Sequence, residues 1–228
     1  MIPDMTIIMM TPNRLPKGWA EFHKQVLLKA IKDTPLITIS VKPLDFGINL
    51  LQNEADYGYP NLYKQMLRGA KLATTKYIGM ADDDTLYPRQ HFEYRPPKDG
   101  FYYNFNRWCL PTWGTTKRDI RYFHKPRPAN YGLVATRELV IKAMEARIAA
   151  NPSLEGDYYT KELGDSIKMR RYDKLEAVPF YTSEPILGLV HDLTADEAAQ
   201  KHKKYIWPVR AYDIPVWGKA EDILKKYT

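Results

Sequence analysis

The sequence predicts an α/β protein in which helices flank a mainly parallel central sheet. Over the first 85 residues, short apolar runs alternate with amphipathic stripes, the pattern of successive βαβ units. The composition agrees, because 228 residues with 44% hydrophobic and 27% charged side chains can bury one sizeable core. These values exclude a wholly disordered chain. Since we find no repeat, linker or low-complexity segment, we expect a single compact unit.

Predicted strands and helices alternate in the first part of the chain. The segments 6–10, 36–41 and 76–81 are mostly apolar, each ends in polar or turn-forming residues, and each predicts a strand. Between them, apolar residues recur at helical spacing over 17–33 and 61–75, which predicts two amphipathic helices. Parallel strands of such a sheet end at one edge, where ligands bind. We therefore expect the functional site at that edge.

The remainder of the chain is less regular. Residues 92–128 are aromatic and basic without a clear period, and we expect strands paired antiparallel at the sheet edge there. Helices are predicted over 137–149 and 154–169, the second with Ser153 as its N-cap. A capping box beginning at Thr194 predicts a further helix.

Charge and cysteine content narrow the class of protein. The net charge of +7 favours anionic substrates or polyanionic partners. The only cysteine, Cys109, excludes an internal disulfide and a zinc site built from several thiolates, so we expect a reducing, cytoplasmic location. We expect neither a secretory signal nor a membrane span, because the apolar runs are too short.

Three adjacent carboxylates, Asp82, Asp83 and Asp84, directly follow the strand predicted at 76–81. Like charges at this spacing repel one another, so a cation is expected among them. Mg²⁺ or Mn²⁺, shared with phosphate oxygens, meets that requirement. The alternative is a solvated turn in which an aspartate caps the next helix.

Residues 6–14 and 61–84 resemble the nucleotide-binding half of GT-A glycosyltransferases, most closely the inverting, family-2-like enzymes with an Asp-x-Asp motif. A helix with a Gly-x-x-x-Ala pattern, here Gly69 to Ala73, precedes the acidic strand in both. The resemblance implies a GT-A-like fold over 1–228, with a nucleotide-binding half at 1–90 and an acceptor half at 91–228. It also implies a nucleotide-sugar donor, with a UDP-sugar as the first candidate.

The resemblance assigns roles to the acidic residues. Asp84 would bind the metal, and Asp82 would lie near the ribose and is a second candidate metal ligand. Asp83 takes the free middle position of the motif and is a candidate for nucleotide contact. The family has an acidic base at the start of a later helix, often within a Glu-Asp pair. Here Gly156 separates Glu155 from Asp157, so either residue could be the base, and Asp157 is the preferred assignment. A late histidine that completes the metal shell corresponds to His191, for which a structural role is the alternative.

Basic and polar residues near the first strand and second helix are candidates for nucleotide contact. Thr11 and Arg14 follow the first strand directly and are the stronger candidates. Lys64 and Arg68 lie on the helix predicted at 61–75, and for Lys64 an exposed structural role is equally open.

The acceptor is expected near the segment 117–127, which holds five basic residues against one acidic residue, interleaved with Tyr122, Phe123 and His124. Basic and aromatic side chains together suit a nucleic-acid backbone with stacked bases, and they also suit a sugar. The candidate acceptors are therefore a saccharide and a hydroxymethylated base in DNA, and a solvated loop is the structural alternative. Two other functions stay open, a nucleotidyltransferase and a non-catalytic nucleic-acid-binding module.

Overall fold

The computed structural model describes residues 4–53, 59–112, 120–150, 152, 162–165, 172–191 and 208–228. Its helices are α1 Lys17–Ile31, α2 Tyr59–Leu72, α3 Arg89–Glu93, α4 Arg137–Ala150 and α5 Ala220–Tyr227, with a short 3-10 helix at Asn130–Gly132. Its strands are β1 Met5–Thr11, β2 Leu36–Ser40, β3 Ile48–Leu51, β4 Tyr77–Asp82, β5 Thr85–Leu86, β6 Phe101–Asn104, β7 Arg107–Pro111, β8 Tyr122–His124, β9 Leu133–Thr136, β10 Ala177–Phe180, β11 Ile186–Val190, β12 Arg210–Ala211, β13 Asp213–Ile214 and β14 Gly218–Lys219.

A seven-stranded sheet in the order β10-β6-β9-β4-β1-β2-β3 forms the centre of the fold. The strands β3, β2, β1 and β4 pair in parallel. The strand β9 pairs antiparallel to both β4 and β6 and so runs in the opposite direction to them. The last strand, β10, pairs parallel to β6. Six of these seven strands therefore run in one direction, which confirms the predicted mainly parallel α/β class.

Helices cover both faces of this sheet because side chains along a strand alternate between faces. On one face, Ile8 and Met10 of β1 belong to a core with Met66 of α2 and Met144 of α4. On the other face, Ile7 and Met9 pack with Leu27 and Ile31 of α1 and Phe92 of α3. A run such as 5–10, in which Thr6 is the only polar residue, is typical of a strand buried on both sides.

A five-stranded sheet, ordered β12-β8-β7-β11-β5, packs beside the first. Its strand β7 pairs antiparallel to β8 but parallel to β11, and β5 links it to the end of β4. The aromatic section was expected at the edge of the main sheet. Instead, β6 lies inside that sheet, between β9 and β10, and β7 and β8 build the second sheet.

The two helices predicted at 154–169 and from Thr194 have different outcomes. The helix predicted at 154–169 is wrong where it can be checked, since 162–165 form a turn. Gly164 has φ +76° there, and an added Cβ would lie 2.5 Å from the backbone nitrogen of Ala177. The helix predicted from Thr194 lies outside the described residues. No helix in the described part combines the length and apolar character that a bilayer crossing requires.

Candidate functional site

The three aspartates occupy the point where the two sheets meet. Asp82 is the last residue of β4, Asp83 and Asp84 form a turn, and β5 follows at once. Since β5 pairs with β11, the amide of Leu189 donates a hydrogen bond to the Asp84 carbonyl at 2.8 Å. The carboxylates thus lie at the carboxyl edge of the main sheet, where the sequence predicted them.

The central carboxylate, Asp83, is held by the end of the first strand and by the first helix. Its Oδ2 accepts a short hydrogen bond from the Thr11 hydroxyl, and its carbonyl accepts one from the Trp19 indole at 2.8 Å. Burial, and then the neighbouring Asp84 charge, raise the pKa of Asp83 to about 7. The Thr11 hydrogen bond opposes this rise because it favours the ionised form.

Asp82 experiences the same crowding. Its backbone amide donates to the Tyr87 hydroxyl at 2.9 Å, which fixes the end of β4. Burial raises the pKa of the Asp82 carboxyl well above its usual range, and the charges of Asp84 and Asp83 add to that effect. The Asp82 and Asp83 carboxyls therefore resist simultaneous ionisation unless positive charge joins them.

His191 lies beside Asp84. Its Nε2 is 3.3 Å from Asp84 Oδ2, while Asp84 Oδ1 accepts a hydrogen bond from the Thr85 hydroxyl at 2.8 Å. Only 5% of His191 is exposed, and its ring lies 5.9 Å from that of Tyr227 in the C-terminal helix. The 107-residue separation of Asp84 and His191 is closed by the pairing of β5 with β11.

A buried histidine under the aspartates was not predicted. His23 of α1 is 3% exposed, and its Nε2 has no hydrogen-bond partner within the described part of the chain. Burial lowers the pKa of His23 to about 4, although the Asp84 charge acts in the opposite direction. Helical spacing in the sequence could have indicated its burial, because His23 falls four residues after Trp19 and four before Leu27 on the buried face of α1.

Polar side chains connect the ends of β1 and β3 to the helix α2. The Gln52 amide donates to the Thr11 carbonyl at 3.3 Å, and Asn61 donates to the Gln52 side chain at 2.8 Å. Arg68 donates to the Leu51 carbonyl at 2.6 Å. Thr11 and Arg68 are therefore both placed at the carboxyl edge. Gln52 and Asn61 join them there without having been predicted.

The other predicted site residues are distributed as follows. Arg14 is exposed in the loop after β1, where Asn13 adopts φ 54° and accepts a hydrogen bond from the Lys42 amide at 2.7 Å. Lys64 is exposed on α2, one turn before Arg68. Glu155 and Asp157 lie outside the described residues, as do residues 117–119 of the basic segment.

The donor set at Asp84 and His191 suits a divalent cation. No group of three or more His, Cys, Asp or Glu side chains within the described ranges is arranged to hold a metal ion. Even so, a carboxylate and an imidazole 3.3 Å apart can share a cation, and carboxylate oxygens with one imidazole suit Mn²⁺ better than a thiolate-seeking metal. The remaining positions would fall to water or phosphate oxygens.

No protein-family model and no curated protein matches this sequence. Among solved structures, the chain is similar to a glycosyltransferase involved in glycosylation of the major capsid of PBCV-1, at 13% identity over 88% of this chain and 98% of that one (TM-score 0.47). It is similar to 2-C-methyl-D-erythritol 4-phosphate cytidylyltransferase from Thermus thermophilus, at 12% identity over 85% and 98% of the two chains (TM-score 0.45). A third, bifunctional IspDF from Campylobacter jejuni, is 9% identical over 79% of this chain (TM-score 0.44), and the match spans 50% of its length.

Proposed function

We propose that this chain is a metal-dependent glycosyltransferase that moves a sugar from a nucleotide sugar, with UDP as the first candidate nucleotide, to an acceptor hydroxyl. The acceptor would be a saccharide or a hydroxymethylated base in DNA. One observation carries the proposal: Asp84 and His191, far apart in sequence, lie 3.3 Å from each other at the edge where Asp83 contacts Thr11. This arrangement gathers a carboxylate, an imidazole and the end of β1 where a parallel sheet binds ligands.

In this proposal Asp84 and His191 hold Mn²⁺ or Mg²⁺, whose positive charge would offset the charge that grows on the departing diphosphate. Asp82 approaches the ribose, while the Thr11 hydroxyl keeps the Asp83 carboxylate turned towards the end of β1. Arg14, Lys64 and Arg68 supply positive charge to the diphosphate or contacts to the base. The exposed position of Arg14 in the loop after β1 is consistent with that task.

The acceptor hydroxyl must lose a proton as its oxygen attacks the anomeric carbon. We assign the base to Asp157, with Glu155 as the second choice. A general base contributes about 10²- to 10⁴-fold to such a rate. Asp157→Asn should therefore lower transfer by at least about 100-fold and leave nucleotide affinity unchanged. The rate of transfer and the affinity for the nucleotide can be measured for both Asp157→Asn and Glu155→Gln. Full activity of Asp157→Asn would show that Asp157 is not the base.

The decisive experiment measures UDP binding by calorimetry with and without Mn²⁺. We expect the wild type to bind UDP more tightly with Mn²⁺ than without it. In Asp84→Asn, we expect Mn²⁺ to give no such increase in affinity. UDP with Mn²⁺ at about 100 times its Kd should stabilise the fold by about 2.7 kcal/mol, and a thermal melt would detect this as a rise of several degrees.

Asp33→Asn is the matched control, because Asp33 is exposed in the turn between α1 and β2, at the opposite edge of the sheet. It should behave as wild type. Unchanged Mn²⁺-dependent UDP binding in Asp84→Asn would place the site elsewhere. A preference for a nucleoside triphosphate over UDP would favour nucleotidyl transfer, and no nucleotide binding at all would favour a non-catalytic module.

A further inference from the structure

The helix α5 packs against the two elements that hold the aspartate turn. Its residue Ile223 is buried and shares a hydrophobic core with Trp19 of α1 and Leu187 of β11. The Trp19 indole donates to the Asp83 carbonyl, and β11 ends directly before His191. The position of α5 is therefore coupled to both flanks of the aspartate turn.

Tyr227, the last residue of α5, contacts one ring on each side of this turn. Its ring centre lies 6.1 Å from that of Trp19, in an edge-to-face arrangement with 69° between the planes. It lies 5.9 Å from the centre of the His191 imidazole, and those two planes are tilted by 32°. Aromatic rings in direct contact have such separations. One side chain thus connects the indole that holds Asp83 to the imidazole beside Asp84.

The His191 side chain depends on packing for its orientation. The pairing of β11 with β7 ends at Val190, so the strand ladder stops one residue before His191. A histidine side chain has several staggered rotamers, and a metal ligand must be held in one of them. The Tyr227 ring packs against the imidazole, whose Nε2 lies 3.3 Å from Asp84 Oδ2. This packing favours the rotamer that faces Asp84.

We infer that Tyr227 is a positioning residue of the proposed metal site and holds the His191 imidazole against Asp84 through ring contact. This inference rests on the proposed function, because it requires that Asp84 and His191 bind the cation. Without the Tyr227 ring, the imidazole gains rotational freedom. The cation must then order that ring when it binds, which lowers the affinity for the cation.

The test measures how UDP binding responds to Mn²⁺. Calorimetric titrations with UDP at graded Mn²⁺ concentrations give the Mn²⁺ concentration that produces half of the gain in UDP affinity. In Tyr227→Leu this concentration should rise by about 10- to 100-fold, the usual effect of losing a contact that orients a metal ligand. The affinity for UDP without Mn²⁺ should equal that of the wild type, because the inferred role concerns only the cation. Tyr227→Phe should behave as the wild type, since it keeps the ring.

Phe22→Leu is the matched control. Phe22 of α1 is half-buried like Tyr227, and its ring centre lies 5.7 Å from that of Trp19 with 63° between the planes. Within the described part of the chain, Phe22 makes no ring contact with His191. Both substitutions therefore remove an edge-to-face contact with Trp19, and only Tyr227→Leu also removes the contact with His191. Phe22→Leu should keep the wild-type response to Mn²⁺.

Loss of folding is separated from loss of positioning by thermal melts of each variant. The titrations are run at a temperature at which the wild type, Tyr227→Leu and Phe22→Leu are all folded. An unchanged half-maximal Mn²⁺ concentration in Tyr227→Leu would overturn the inference. An equal rise in Phe22→Leu would also overturn it, because the effect would then come from packing around Trp19. So would an equal loss of UDP affinity in Tyr227→Leu without Mn²⁺, which would indicate a general structural role.

Failure of this inference can be told apart from failure of the proposed function. If Tyr227→Leu keeps the wild-type response to Mn²⁺ while Asp84→Asn loses it, the proposed metal site stands and only the role of Tyr227 is rejected. If Mn²⁺ does not change the affinity of the wild type for UDP, both proposals are rejected.

Discussion

His91 is a histidine that the fold keeps away from water and away from the aspartates. Its ring stacks on Phe180 at 5.8 Å and lies 5.4 Å from that of Tyr87. Its Nδ1 is 3.4 Å from the Asn104 amide, and its Nε2 has no hydrogen-bond partner among the described residues. Burial lowers the pKa of His91 from 6.5 to about 3. The packing therefore selects the neutral ring.

This shift predicts a specific dependence of stability on pH. Between pH 6.5 and about 3 the unfolded chain binds a proton at His91 that the folded chain rejects. The contribution of His91 to stability is thus present above pH 6.5 and is lost as the pH falls. In His91→Phe, the free energy of unfolding should decline less steeply over this range, by up to about 1.4 kcal/mol per pH unit.

Urea unfolding at successive pH values, followed by tryptophan fluorescence, measures the difference between wild type and variant. Other titrating groups cancel in that difference, including His23, whose pKa burial also lowers. Parallel curves for the two proteins would mean that the His91 imidazole titrates alike in the folded and unfolded chains.

Individual site residues were predictable to the extent that they end a strand. Thr11 and the aspartates follow apolar runs, and the carboxyl ends of parallel strands lie together at one edge of the sheet. His191 also follows an apolar run, although its strand belongs to the other sheet. The pairing of buried Arg107 with half-buried Tyr131 could not be anticipated. A short hydrogen bond from Arg107 to the Tyr131 hydroxyl joins β7 to the 3-10 helix, and no local sequence pattern predicts it.

At the scale of elements, Gly69 explains how closely α2 approaches the sheet. A Cβ at this position would lie 2.8 Å from Cγ2 and 3.2 Å from Cδ1 of Ile8, and 3.3 Å from Cδ1 of Ile39. The glycine lets the helix backbone rest on β1 and β2. The Gly-x-x-x-Ala pattern noted in the sequence therefore has a packing cause here.

Gly69→Ala should lower the free energy of unfolding by about 1–2 kcal/mol, because overpacking outweighs the gain in helix propensity of about 1 kcal/mol. Gly18→Ala on α1 provides the matched control, since a Cβ there meets only the Lys226 carbonyl at 3.9 Å. That change should raise stability by roughly 0.5–1 kcal/mol. Urea denaturation measures both, and a stabilised Gly69→Ala would contradict the close approach of α2.

Element prediction succeeded where burial imposes a regular pattern and failed where it does not. The strands β1, β2 and β4 and the helices α1, α2 and α4 lie within two or three residues of their predicted limits. In contrast, β3 has four residues at the sheet edge, and Ile48 and Leu51 are 60% and 51% exposed. Without two buried faces, this short strand carries no apolar run that sets it apart from a loop.

The whole molecule depends on pairings between distant parts of the chain. The strand β11 pairs with β7 about 80 residues earlier, and its other neighbour, β5, begins about 100 residues earlier. A sequence pattern reports local periodicity and says nothing about such partners. The second sheet was therefore not predicted, and the contact of His191 with Asp84 was anticipated only through the family resemblance.

A buried ion pair joins α4 to a distant part of the chain. Arg147 and Asp173 are both inaccessible to solvent, and Arg147 Nε donates to Asp173 Oδ1 at 2.7 Å. Arg147 also donates to the Glu162 carbonyl at 3.1 Å, and the Gly164 amide donates to Asp173 Oδ2 at 2.7 Å. In sequence, the proposed base Asp157 falls between the residues that this pair links.

Arg147→Met should destabilise the fold by about 3–5 kcal/mol, because it leaves the Asp173 carboxylate buried without its cation. The double variant Arg147→Met/Asp173→Leu should be far less destabilised than the sum of the single changes, since neither charge then stays behind. A double-mutant cycle by urea denaturation measures this coupling. Additive effects would show that the two residues act independently. If the pair also positions the acceptor side, the double variant should keep Mn²⁺-dependent UDP binding and lose transfer, a separation that a purely structural role would not produce.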